Sequence, residues 1–111
     1  MQVYDTANRL AQEIKDSEEF INYKMAKQTI NLNEELKKKI NEFEMARYEE
    51  QMSTMQTGKI DEEKIKKVQD LYRELIENME AKKYFDAELK FNVMLGVVNK
   101  IISESVRDLI K

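Results

Sequence analysis

Apolar residues recur at spacings of three and four along most of the chain, and the repeats restart where capping residues cluster. Val3, Ala7, Leu10 and Ile14 form the stripe of a first amphipathic helix. At Asp16-Ser17-Glu18-Glu19 the pattern resumes in a capping-box arrangement, with Asp16 expected to accept from the backbone near Glu19. Phe20, Tyr23, Ala26 and Ile30 are the new apolar positions. Asn31-Leu32-Asn33-Glu34 offers a further start, because either asparagine can cap free amides while Glu34 and Glu35 suit the positive end of the dipole.

The spacing predicts a long third helix from about Glu34 towards Gln56. Its first half carries Leu36, Ile40, Phe43 and Ala46; its second presents Met45, Tyr48, Met52 and Met55 on nearly the opposite side. One partner surface cannot cover both. Thr57-Gly58-Lys59 breaks the pattern, with glycine suited to a left-handed helix end and Asp61 to the next cap, so a helical hairpin is expected. The returning helix holds Ile65, Val68, Tyr72, Leu75 and Met79, with Leu71 and Ile76 widening the face, and Asn78 is placed to interrupt it.

The last predicted helix, Met79 to Ile110, is the most apolar. Phe91, Leu95, Val98, Ile102, Val106 and Leu109 make one stripe, and Leu89, Val93 and Val97 spread apolar surface around the axis. A helix apolar on several sides needs neighbours on several sides, and a second copy of the chain is the simplest source of them. Gly96 costs roughly 1 kcal/mol against alanine in a helix. A close approach of another backbone accounts for it, as does simple tolerance.

Composition narrows the picture. With 111 residues, 41% hydrophobic and 37% charged, two glycines and no proline, the chain suits one all-α domain of four or five helices. It has no cysteine, histidine or tryptophan, which leaves no thiolate, no imidazole base and none of the commonest transition-metal ligands. No cofactor or metal is expected. The net charge of −3 comes from interleaved acids and bases, so neither nucleic acid nor an anionic membrane is an expected partner. No stretch approaches a membrane-spanning length, and Met1-Gln2-Val3-Tyr4-Asp5 lacks the basic start and apolar run of a signal peptide. The expected location is the cytoplasm.

Candidate chemistry is acidic. Glu13 with Asp16, and Glu74, Glu77 and Glu80 in steps of three, would lie on helical faces and could hold magnesium, as paired glutamates do in all-α nucleotide pyrophosphohydrolases. Arg73 stands where an E-E-x-x-E motif needs its first glutamate, so the expected set of catalytic residues is empty. Lys37, Lys38, Lys39 and Lys64, Lys66, Lys67 are the best basic runs, and Tyr23, Lys24 and Lys27 with Tyr84 and Phe85 could stack nucleotide bases. A magnesium-dependent pyrophosphohydrolase and an RNA-binding helical protein are therefore the alternatives to an interaction protein.

Two segments carry a resemblance: Ser17-Glu18-Glu19-Phe20-Ile21-Asn22-Tyr23-Lys24-Met25-Ala26-Lys27, and Tyr84-Phe85-Asp86-Ala87-Glu88-Leu89 leading through Met94-Leu95 to Ile101-Ile102-Ser103-Glu104. They resemble the YlbF/YmcA/YheA family of small helical proteins of Gram-positive bacteria, and the chain looks most similar to its YheA-like, UPF0342-type branch. The resemblance implies long antiparallel helices and a homodimer or higher assembly. It also implies a non-enzymatic, regulatory role. Some members partner a complex that modulates the RNA-processing endonuclease RNase Y, with effects on competence and biofilm formation. Cysteine-held iron–sulfur clusters, associated with that complex, find no ligand in this chain. The family's asparagine-proline before the last helix reads Asn78-Met79 here.

The expectation is thus an all-α homo-oligomeric adaptor, a dimer first of all. It would self-associate through Phe91, Leu95, Val98, Ile102 and Val106 and offer Met45, Tyr48, Met52 and Met55 to further proteins, such as those of an RNA-processing complex.

Overall fold

A computed structural model describes residues 1–110. The described chain is all-helical: α1 (Gln2–Asp16), α2 (Glu18–Asn31), α3 (Glu34–Thr57), α4 (Glu62–Leu75) and α5 (Met79–Ile110). The boundaries follow from capping. Ser17, and not Asp16, separates α1 from α2: its hydroxyl accepts from the Phe20 amide at 3.1 Å while donating to the Ile14 carbonyl at 2.6 Å. One short side chain thereby serves both helix ends, and the Asp16 carboxylate accepts instead from Gln12 at 3.0 Å. Asn33 caps α3 by accepting from the Leu36 amide, Asp61 caps α4 through the Glu63 and Lys64 amides, and Asn78 caps α5 through those of Glu80 and Ala81. Gly58 ends α3 in the left-handed region, at φ 70°.

The chain packs as two compact units, residues 28–83 and residues 1–27 with the chain from Tyr84 onward. The first is built on the α3–α4 hairpin. Leu36, Ile40, Phe43 and Ala46 of α3 and Leu75 of α4 are buried, with Ile30 and Ala81 at the unit's ends. The Phe43 and Tyr72 rings meet at 5.7 Å, and the Arg47 guanidinium lies 5.4 Å from the Phe43 centroid.

The second unit joins α1 and the start of α2 to most of α5. Phe20 meets Phe91 edge-on at 6.1 Å, and Tyr23 contacts Phe91 at 5.3 Å and Tyr84 at 5.8 Å. As α2 advances from Phe20 to Tyr23 its partners on α5 retreat from Phe91 to Tyr84, so these segments run antiparallel. Tyr84 and Phe85 are buried. α1 buries no residue; Leu10 and Ile14 are half-covered and Val3 is exposed.

Candidate interaction surfaces

On α5 the apolar stripe changes character along its length. Phe91, Leu95 and Val98 are half-buried, and the Phe91 ring is held between α5 and α2 by Phe20 and Tyr23. From one turn beyond Val98 the same stripe is open: Ile102 is 52% exposed and Leu109 87%. Val106 and Ile101 are exposed as well. Of the five residues expected to self-associate, the structure therefore places Phe91, Leu95 and Val98 partly against their own chain and leaves Ile102 and Val106 uncovered.

In the hairpin unit, Met45, Tyr48 and Met55 are exposed and Met52 is half-buried. The contrast with Phe43, 4% exposed against 65% for Met45, follows from helix geometry: two residues turn the side chain through roughly 200°. Methionine side chains on such a face adapt to partners of varied shape.

A half-buried polar contact lies between α2 and α5. The Tyr23 hydroxyl donates to a Glu88 carboxylate oxygen at 3.1 Å, and the Lys27 ammonium sits 4.9 Å from the Tyr23 ring centre. Burial, with help from the adjacent Tyr84 and Glu88, pushes the Tyr23 phenol far above its ordinary value of 10.0. Glu88 escaped the sequence reading because its partner is 65 residues away and no periodicity marks such a pair. These aromatics are engaged with one another, and Tyr84 and Phe85 are buried, so they offer no open platform for base stacking.

The acidic row is broken by the fold. Glu74 lies in α4, Glu77 beyond its end and Glu80 in the first turn of α5, so the three do not share one helical face. Among the described residues no group of three or more potential ligands converges to hold a metal ion. No helix among them is long and apolar enough to cross a membrane.

The described residues define an all-helical protein of five helices. The chain belongs to the YlbF/YmcA family: residues 3–107 match the family described as "Control of competence regulator ComK, YlbF/YmcA". It is similar to a UPF0342 protein of Desulfitobacterium hafniense, 34% identical over 110 residues that cover 99% of this chain and 89% of that one. A UPF0342 protein of Alkalihalophilus pseudofirmus is 35% identical over 108 residues, covering 96% and 91% of the two chains. One of Caldicellulosiruptor bescii is 30% identical over 104 residues, covering 94% and 87%.

Proposed function

We propose that this protein is a non-enzymatic helical adaptor that self-associates through the C-terminal half of α5 and serves a regulatory complex. The observation that carries the reading is the uncovered end of the α5 stripe, where Ile102, Val106 and Leu109 face solvent in the single chain. Removing apolar surface from water yields roughly 25 cal/mol per Å², and a lone subunit forgoes that gain along this helix. A second copy recovers it. The Met45, Tyr48, Met52 and Met55 face is a second contact available to other proteins, supported by its exposure and its methionine content. Membership of a family described by control of a competence regulator supports a regulatory role, and the resemblance to members that partner an RNA-processing complex makes such a complex the proposed client.

Sedimentation equilibrium tests the reading. Wild-type protein at micromolar concentration should sediment as a dimer or larger assembly, and I102E/V106E as a smaller or more weakly associated species with its helical circular dichroism retained. Both positions are exposed, so the double substitution leaves the fold intact while burying two charges in any contact made there. A well-folded wild-type monomer would overturn the proposal.

A further inference from the structure

Behind the face that packs on α2, α5 carries a second exposed band. Leu89, Val93 and Val97 are 64%, 57% and 55% exposed. At about 100° per residue they fall within a band roughly 80° wide, on the side of the helix opposite Phe91. Asp86 and Lys100 lie in the same band and are exposed. Neither carboxylate nor ammonium has an ion-pair partner among the described residues. A Cβ added at Gly96, beside the band, would meet nothing within 4 Å.

The order of these residues is symmetrical in a way that concerns a partner. From Val93, Asp86 lies seven residues back and Lys100 seven ahead, while Leu89 and Val97 lie four back and four ahead. Seven residues are close to two helical turns, about 10 Å along the axis, which is why all of them share one face. An antiparallel copy of α5 crossing at Val93 sets Asp86 of each chain level with Lys100 of the other and Leu89 level with Val97. A parallel copy sets like charge against like. Charge complementarity therefore selects one occupant in one orientation.

We infer that the Leu89–Val93–Val97 band of α5 is an isologous contact for a second copy of this chain, lying antiparallel about a two-fold axis near Val93 and closed by reciprocal Asp86–Lys100 pairs. The inference rests on the self-association reading above and assigns a face other than the Ile102–Val106 stripe. The two-fold axis makes each ion pair occur twice, and the missing Cβ at Gly96 leaves room for the partner's side chains to lie close. A two-fold assembly also presents the proposed Met45, Tyr48, Met52 and Met55 contact twice, which raises its effective affinity for a multivalent client.

Charge exchange is the decisive test. D86K and K100D should each weaken dimerisation about tenfold, since each converts two attractions into two repulsions, and D86K/K100D should return to within about threefold of wild type. Because the natural chain has no cysteine, thiol cross-linking supplies an independent readout. V93C should form a covalent dimer with a short bismaleimide. D86C mixed with K100C should do so as well, whereas K100C alone should not, its two copies being about 20 Å apart in the antiparallel pair. A wild-type monomer would sink both this contact and the self-association reading. A wild-type oligomer that ignores the charge exchange, or that cross-links K100C to itself, would overturn this contact alone.

Discussion

The Tyr23 hydroxyl donates to Glu88 across 3.1 Å, tying the start of α2 to α5 from positions 65 residues apart. Its surroundings hold the phenol neutral, so the bond depends on pH in a predictable direction. The native phenol is raised above its unfolded value of 10.0. Its stabilising contribution is whole below about pH 10, and it shrinks as pH rises further, because the unfolded chain then ionises while the native phenol keeps its proton. Urea titrations from pH 8 to 11 should show wild type losing stability relative to Y23F over that range. Near pH 8, Y23F should be less stable by about 1 kcal/mol.

Asn78 sets the start of α5 by accepting from the Glu80 and Ala81 amides at 2.9 and 3.1 Å. N78A leaves those amides without their side-chain acceptor and should cost about 1 kcal/mol in chemical denaturation. N78D retains the acceptor and should cost less than half of that. Equal loss in the two variants would show that the cap is not what N78A removes.

The two glycines should respond with opposite signs. Gly58 holds φ at 70°, and although nothing lies within 4 Å of an added Cβ, the backbone itself opposes a side chain there. G58A should therefore destabilise the chain by about 1 kcal/mol. Gly96 has helical neighbours and open space around it, so G96A should stabilise the isolated subunit by up to about 1 kcal/mol, measured at concentrations below self-association.

Phe43 and Met45 stand two residues apart on α3 and should differ most sharply. Phe43 is buried against the hairpin, and F43A should cost about 3–5 kcal/mol. M45E and M55E, on the exposed side, should stay within about 0.5 kcal/mol of wild type. A large loss in either methionine variant would place that face in contact with the rest of its own chain.

Much of this architecture was legible in the sequence, for physical reasons that can be traced residue by residue. The Leu36, Ile40, Phe43, Ala46 stripe is the buried side of α3 because a three-four spacing defines a face whatever the rest of the chain does. Asn33, Asp61 and Gly58 end or begin helices as their chemistry suggests, because a cap is a bond between residues two to four apart. The choice between Asp16 and Ser17 was not settled that way. Both can accept from an amide downstream, and the Ser17 hydroxyl, being shorter, also donates to Ile14.

Which residues are helical and which of them form apolar stripes follows from local spacing and capping, since both act within a few residues. The folded chain settles which of those stripes are covered. Phe91 is drawn into its own chain by Phe20 and Tyr23, while Ile102, Val106 and the Leu89–Val97 band are left open. It also separated Glu74, Glu77 and Glu80, by ending α4 at Leu75. Burial is a property of neighbours distant in the chain, and a stripe looks the same in the sequence whether its partner is another helix of the molecule or a second molecule.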